Sequence, residues 1–255
     1  MKSSSYKDSN SQNFLLLHMR KDPEVCVPEY QNFLEHTRLK KNHLYAINLC
    51  EHPNLDPGIL DRYDAFLIGG YSDDPSDRLD LDVVTYPFIK SLNSLLKYAV
   101  AIKKPGLLSC GGFMLASVLL GGELTLDRAM KEMDILPITL TEKAKNDPLL
   151  SSLPDQLSIV SGHLKSTNKL PPNTDLLAYS DRCPIHAFKI TDAPIYAFQG
   201  HPEMTANQLK ERVEPYKDKY FNGEEDYKRF ISNNASTKEA NQILSRFVEM
   251  INGTL

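Results

Sequence analysis

Short apolar runs of strand length alternate with helical patterns along the first half of this sequence, and this alternation limits the folds open to the chain. The runs are at residues 14–19, 44–49, 65–68 and 106–109. Before the last of them, apolar residues recur with a period of about 3.6 over residues 87–102, which predicts an amphipathic helix. Parallel strands need long crossover connections, and helices usually supply them. We therefore predict an α/β fold with a mostly parallel sheet and helices on both faces.

The rest of the chain predicts additions to this sheet. A further helix is predicted over residues 29–39, and the charged, proline-containing stretch before it is expected to be a loop. After Gly122, short apolar runs separated by turn residues predict antiparallel hairpins added to the sheet. A helical stretch from Thr205, a charged region over residues 217–234 and an amphipathic helix over residues 240–251 follow. The C-terminal part is therefore expected to form a helical extension.

Length and composition fit one main domain with appendages. The chain has 255 residues, of which 41% are hydrophobic, and this is enough to bury one full core. We predict a disordered tail at residues 1–12, a main domain at residues 13–210 and the helical extension, packed on it, at residues 211–255. The polar N-terminal segment lacks the apolar run that a secretory signal or a membrane span needs. We therefore expect a cytoplasmic protein without membrane contact.

Charge and cysteine usage argue against several kinds of partner. The net charge is −4 and the Lys and Arg residues are scattered, so no basic surface for nucleic acid is expected. The four cysteines are widely spaced, without the C-x-x-C spacing or the companion ligands of a metal site. We read three of them as reduced thiols and expect no metal and no organic cofactor. The chain is expected to be a monomer or a homodimer.

The fourth cysteine lies where a strand meets a helix. The apolar run at residues 106–109 leads directly into Cys110, Gly111 and Gly112, and a helical pattern begins at once. This strand–turn–helix arrangement is typical of a nucleophile elbow, in which small residues let the backbone turn sharply. A cysteine at a helix N-terminus is favoured as the thiolate, and the N–H of Gly111 would point toward an oxyanion formed there. We therefore predict that Cys110 is a nucleophile.

Two other strand ends supply the groups that a thiol nucleophile needs. Gly69 and Gly70 follow an apolar run, at the edge where ligands bind in open α/β sheets, and the N–H of Gly70 is predicted as the second oxyanion donor. His201 follows a later apolar run and can take the thiol proton and return it to a leaving amine. Glu203 can accept the other imidazole N–H and orient the ring. Cysteine, histidine and glutamate form a complete nucleophilic set.

Four motifs, in this order and spacing, carry a family resemblance. They are Ile68-Gly69-Gly70, Leu108-Ser109-Cys110-Gly111-Gly112, Leu120-Gly121-Gly122 and Gln199-Gly200-His201-Pro202-Glu203. From about residue 14 to residue 203 the chain resembles a class I glutamine amidotransferase domain, particularly stand-alone members similar to the amidotransferase part of GMP synthase. The resemblance implies a flavodoxin-like three-layer sandwich and a triad of Cys110, His201 and Glu203. It also implies oxyanion donors at Gly70 and Gly111, a γ-glutamyl thioester on Cys110, and ammonia or a freed amine as product.

The sequence departs from the family pattern around the expected substrate pocket. Family members usually have Gly where this chain has Leu108, Gln where it has Met114, and an aromatic residue where it has Gly200. The missing Gln helps to hold the glutamine substrate, and methionine cannot replace its hydrogen bonds. The candidate substrate-binding residues are Gly69, Met114, His163 and Gln199. His163 follows a predicted strand, where it either faces the pocket or lies on the surface.

Three functions fit these residues. The first is hydrolysis of a small-molecule carboxamide by a thiol enzyme of the amidotransferase type. The sequence shows no ATP-binding P-loop, so a biosynthetic role would need an ammonia-accepting protein partner or outright hydrolysis. The second is a γ-glutamyl peptidase acting on a peptide or conjugate, which the presence of Met114 favours. The third is a catalytically silent binding or regulatory subunit that has kept the fold.

Overall fold

The structure is a computed structural model that describes residues 12–71, 79 and 81–255. The predicted tail lies outside this part of the chain apart from Gln12, which is buried. No helix among the described residues combines the length and the apolar composition that crossing a membrane requires.

Strands and helices alternate through the first half of the chain, as predicted. The strands are β1 (Phe14–Met19), β2 (Leu44–Asn48), β3 (Ala65–Tyr71), β4 (Gly106–Ser109), β5 (Glu123–Leu126), β6 (Glu132–Leu140), β7 (Gln156–His163), β8 (Lys165–Lys169), β9 (Thr174–Tyr179), β10 (Ala187–Ile190) and β11 (Ile195–Phe198). The helices are α1 (Pro23–Thr37), α2 (Ile89–Ala101), α3 (Gly111–Leu119), α4 (Glu142–Lys145), α5 (Ala206–Val213), α6 (Lys217–Tyr220), α7 (Glu224–Ser232) and α8 (Lys238–Asn252).

The strand order confirms the predicted mostly parallel sheet with added hairpins. The main sheet has the order β2-β1-β3-β4-β11-β10-β9-β6-β7. Its first five strands are parallel, with the 2-1-3-4-5 order of flavodoxin-like folds. The last four strands join them by antiparallel pairing, while β5 and β8 form a separate small sheet. The carboxyl ends of β1, β3, β4 and β11 therefore meet at one edge, where ligands bind in such sheets.

Side chains that alternate along the strands build the three predicted layers. Phe14 and Leu16 of β1 belong to one apolar cluster, which includes buried residues of α1 and α8. Leu15 and Leu17 belong to a second cluster with α2 and α3. This alternation follows the two-residue period of a strand that is buried on both faces. Helix α8 thus belongs to one of the outer layers, whereas the division of the chain at residue 210 stays a prediction.

One predicted loop is wrong, because the stretch before residue 29 is helical. Helix α1 begins at Pro23, where a proline is tolerated because the first N–H groups of a helix have no partner within it. The side chain of Asp22 caps this end by accepting the N–H of Glu24 at 2.9 Å. The helix also continues through Pro28. Its start brings an acidic residue of α1, described below, over the end of β3.

Candidate active site

Cys110 lies in a strained turn between β4 and α3. Its backbone has φ 47° and ψ −102°, a conformation that a residue with a side chain rarely adopts. The Cys110 N–H donates to the carbonyl oxygen of Phe198 in β11 at 2.8 Å, which ties the turn to the neighbouring strand. Strain of this kind is typical of functional positions. The turn presents the partly exposed thiol at the carboxyl edge of the parallel strands.

The three predicted catalytic side chains lie together and interact. The Cys110 thiol and the His201 imidazole are close enough for each to shift the pKa of the other. The other ring nitrogen of His201, Nδ1, lies 2.6 Å from Oε1 of Glu203, which is fully buried. A bridge to Val160 in β7 fixes the backbone here, because the His201 N–H donates to the Val160 carbonyl oxygen at 2.8 Å. The glutamate thus holds one nitrogen of the ring that interacts with Cys110.

The charges of the site favour a thiolate–imidazolium pair. Loss of solvent alone would raise the pKa of Cys110, but the charge and hydrogen bond of His201 and the charge of Arg20 lower it below the usual value of a thiol. Burial alone would lower the pKa of His201, whereas the charges of Cys110 and Glu203 raise it to about 10. Both shifts have the same cause, because the negative thiolate and the positive imidazolium each stabilise the charged form of the other. The thiolate form of Cys110 is therefore favoured more than that of an ordinary thiol.

This pairing predicts the pH dependence of cysteine alkylation. Because the pKa of Cys110 is lowered, its reaction with iodoacetamide should slow less than that of free cysteine as the pH falls from 9 to 7. A free thiol with a pKa of about 8.5 loses most of its thiolate over that range. Cys26, whose pKa burial raises to about 11, is an internal control that should react slowly throughout. Mass spectrometry of each cysteine measures both rates, and a Cys110 rate that falls in parallel with free cysteine would contradict the prediction.

The N–H of Gly70, predicted as an oxyanion donor, already has a partner in this structure. It donates to Oε1 of Glu29 in α1 at 3.1 Å. A Cβ on the preceding Gly69 would lie 2.6 Å from the same carboxylate, so only glycine allows this approach. The Gly69-Gly70 pair, which lies within β3 rather than after it, thus makes room for a buried carboxylate that the sequence analysis did not reveal.

Glu29 is the centre of a buried ion cluster near Cys110. Its Oε1 accepts from Nε of Arg20 at 3.0 Å and from Nη2 at 2.5 Å, and its Oε2 lies 2.5 Å from Nδ1 of His18. Burial alone would raise the pKa of Glu29, but the Arg20 charge and the His18 hydrogen bond lower it to about 2. The cluster therefore contains a charged carboxylate whose hydrogen bonds hold the Arg20 guanidinium in one position.

Removing the charge of Glu29 should destabilise the fold. Glu29→Gln leaves the buried Arg20 without its counter-ion, which typically costs about 3–5 kcal/mol. The loss should appear in the free energy of unfolding from urea titration. Because the pKa of Glu29 is lowered, its contribution should be present above about pH 4, the usual carboxyl pKa, and should decline as the pH falls toward 2. The exposed pair of Lys169 and Glu123 is the control, since Glu123→Gln should cost no more than about 1 kcal/mol.

The candidate substrate-binding residues have different surroundings. Met114 is partly buried and packs on the apolar cluster that includes α2. Gln199 is buried, and its side-chain oxygen has no hydrogen-bond partner among the described residues. A Cβ on Gly111 would lie 2.2 Å from the backbone nitrogen of Tyr71, so the end of β3 contacts the start of α3. The N–H of Gly111 is among the first in its helix, and these N–H groups have no partner within the helix.

His163 is buried and belongs to a second polar cluster next to the thiol. The carbonyl oxygen of the preceding residue, Gly162, lies 4.0 Å from the Cys110 sulfur. The His163 Nε2 lies 2.9 Å from Oε2 of Glu132, and Nε2 of His186 lies 3.3 Å from the same oxygen. These contacts are those of a hydrogen-bonded network. One ligand atom from each of the three residues lies close enough to the others for the group to hold a metal ion. Burial of His163 rules out the predicted alternative of a surface histidine.

Sequence reasoning missed several charged residues of the site. His18 and Arg20 come at the end of β1, so the rule that strand ends meet at one edge could have found them. Glu29 and Glu132 offered no such signal. Arg212 of α5 is also near, since it interacts electrostatically with Arg20 and other charged groups of the site. Its Nη2 is buried and makes no hydrogen bond within the part of the chain that the structure describes.

Comparison with known proteins gives relatives of two kinds. Over 105 residues the chain is 34% identical to a glutamine-hydrolyzing GMP synthase subunit from Pyrococcus abyssi, with 41% of this chain and 53% of that protein covered. The chain thus spans about half the length of that relative. Over 194 residues it is 26% identical to gamma-glutamyl peptidase 4 of Arabidopsis thaliana, with 75% of this chain and 72% of that protein covered.

Fold and family comparisons agree with the resemblance found in the sequence. A crystal structure of a glutamine amidotransferase from Thermotoga maritima has a TM-score of 0.74 and 16% identity, with 95% of this chain and 99% of that chain covered. The family model described as glutamine amidotransferase class-I matches residues 37–220, most of the chain. This chain belongs to the class I glutamine amidotransferase family.

Proposed function

We propose that this chain hydrolyses the side-chain carboxamide of glutamine, or a closely related γ-glutamyl amide, through a thioester on Cys110. The observation that carries the proposal is the contact of His201 with the buried Glu203, together with the interaction of His201 with Cys110, at the carboxyl edge of the sheet. Membership of an amidotransferase family supports the reaction class. The proposal requires no metal or organic cofactor, because the side chains supply the nucleophile, the acid and the base.

The side chains take these roles in sequence. The thiolate of Cys110 attacks the amide carbon, and the carbonyl electrons move onto oxygen. The imidazolium of His201 then protonates the leaving nitrogen, so that ammonia or an amine departs and a thioester remains. Water, deprotonated by the now neutral imidazole, attacks the thioester and releases the acid. Glu203 keeps the ring oriented and stabilises its charged form.

Cleavage of γ-glutamyl peptides or conjugates is the second candidate. Met114 packs against apolar side chains and provides no polar group where family members usually have a glutamine. A γ-glutamyl peptide can also be bound through the part that leaves as the amine. Such a substrate depends less on this hydrogen bond than free glutamine does. The similarity to a gamma-glutamyl peptidase covers 75% of this chain, more than the similarity to the GMP synthase subunit does.

The proposed cellular setting follows from the same features. If free glutamine is the substrate, we expect a partner protein to accept the ammonia. The GMP synthase relative is named as a subunit, which implies a partner for that protein. The four cysteines are free, which suits a reducing compartment such as the cytoplasm. The remaining alternative, a silent regulatory protein, predicts a Cys110 with no unusual reactivity.

The experiment that tests the proposal is a substrate panel with a nucleophile control. Purified protein is incubated with L-glutamine and with several γ-glutamyl peptides, and release of ammonia or of the free amine is measured beside Cys110→Ala. Release from glutamine that is absent in the variant supports a glutaminase. Release from γ-glutamyl peptides alone supports the peptidase. The absence of any Cys110-dependent release would refute both candidates as activities of this chain by itself.

A further inference from the structure

The expected second oxyanion donor is already in use in this structure. The Gly70 N–H donates to Oε1 of Glu29, and the carboxylate is fully buried. Moving this N–H to an oxyanion would leave the carboxylate short of one hydrogen bond, which is costly in a buried site. Another donor close to the Gly111 N–H would avoid that cost.

Arg20 lies at the place where such a donor is needed. Its Nη2 is 2.6 Å from the position that a Cβ on Gly70 would occupy, and Cε1 of His201 is 3.3 Å from the same point. The carbonyl carbon of Gly70 is in turn 2.9 Å from the position of a Cβ on Gly111. The guanidinium, the imidazole and the start of α3 therefore surround one glycine. Arg20 also interacts electrostatically with Cys110.

The guanidinium of Arg20 has N–H groups that do not donate to Glu29. Arginine carries five N–H donors in a rigid fork. Nε and Nη2 donate to Glu29, and among the described residues Nη1 makes no hydrogen bond. A hydrogen bond from a charged donor is roughly twice as strong as one from a neutral donor. Because the buried Glu29 fixes the fork, the donor is positioned before the reaction begins.

We propose that Arg20 is a catalytic residue that binds the oxyanion together with the N–H of Gly111. This inference rests on the proposed amide hydrolysis at Cys110. As the sulfur–carbon bond forms, the carbonyl π electrons move onto oxygen, where Arg20 and Gly111 stabilise them. As the intermediate collapses, the carbonyl re-forms, the carbon–nitrogen bond breaks, and nitrogen takes a proton from His201. Arg20 keeps its own protons throughout.

Two reactions of the same sulfur separate this role from a general effect on the thiolate. Acylation of Cys110 by p-nitrophenyl acetate passes through a tetrahedral oxyanion, whereas alkylation by iodoacetamide does not. A residue that only stabilises the thiolate affects both rates equally. An oxyanion donor affects acylation alone, so the ratio of the two rate constants isolates its contribution.

The experiment measures this ratio in the wild type, Arg20→Met and Arg20→Lys, with Cys110→Ala to subtract reaction at the other cysteines. Removal of one oxyanion donor typically lowers the rate about 10²–10³-fold. We expect Arg20→Met to lower the ratio of acylation to alkylation by about 10²-fold. Arg20→Lys keeps the charge beside Glu29 but loses the fork, and a fall of about tenfold is expected.

An unchanged ratio, whether both rates fall together or neither falls, would overturn the inference. If Arg20→Met fails to fold, Arg20→Lys decides the question by the same ratio. The proposed function is tested separately, because neither probe is a γ-glutamyl compound. A wild type without activity on glutamine or γ-glutamyl peptides, but with an Arg20-dependent ratio, would refute the proposed substrate and leave the role of Arg20 standing.

Discussion

Replacing Cys110 with alanine is expected to lower kcat on the best substrate by on the order of 10⁶-fold, the effect of deleting the nucleophile from a catalytic triad. Alanine cannot form the thioester, and the other cysteines cannot replace the thiol. Burial raises the pKa of Cys26 to about 11 and that of Cys183 to about 12, so both are protonated near neutral pH. Amine or ammonia release measures the loss.

A matched control separates loss of the nucleophile from loss of the fold. Cys50 is also a partly exposed free thiol, and the charges that act on it include Arg20 but not Cys110, His201 or Glu203, so Cys50→Ala should keep close to the wild-type rate. The thermal unfolding midpoint of each variant shows whether the fold is retained. Turnover by a folded Cys110→Ala that matches the wild type would remove this residue from the mechanism.

Replacing Glu203 with glutamine should lower kcat by about 10⁴-fold, because an amide no longer holds the imidazole in the required tautomer. The loss corresponds to about 5 kcal/mol of transition-state stabilisation. Glu203 lies 2.6 Å from Nδ1 of His201, and its charge is one of the causes that raise the pKa of that ring to about 10. Without the charge the imidazolium should lose its proton at lower pH. The high-pH limb of the activity profile should therefore move toward neutrality.

Asp147 provides the control for removing a buried carboxylate. It accepts from Nζ of Lys189 at 2.8 Å and from the Tyr196 hydroxyl at 3.2 Å, outside the site. Asp147→Asn should destabilise the fold while leaving the shape of the pH profile unchanged. If Glu203→Gln kept both the wild-type kcat and its pH limb, the glutamate would be structural only.

The fold could be predicted wherever apolar runs were continuous. The runs at residues 14–19, 44–49, 65–68 and 106–109 became the parallel strands, because a strand buried on both faces needs apolar residues at every position. Strands β5 and β8 are not predicted because neither carries such a run: β5 alternates polar residues with leucines, and β8 is polar. The sequence does not predict the start of α1, because a proline generally favours a loop, although a capped first helical turn tolerates one.

The sequence predicts the cysteine, histidine and glutamate of the candidate site but does not predict its ion cluster. Cys110, His201 and Glu203 each occur in a local motif at a strand end, so the sequence predicts that they lie close together. Glu29 occurs in no motif, and it reaches Gly70 only because α1 crosses over the end of β3. The contact joins residues 41 positions apart, which local patterns cannot reveal.

The sequence by itself determined the architecture, the position of the thiol at a strand–helix turn, and the family to which the chain belongs. These follow from local patterns, because hydrophobic periodicity and turn-forming residues act over a few positions. Only the tertiary structure decided which donors and charges surround that thiol. In the folded chain the Gly70 N–H donates to Glu29, and Arg20 lies beside His201. The physical reason is that electrostatic interactions depend on distance in space and on burial, and packing sets both.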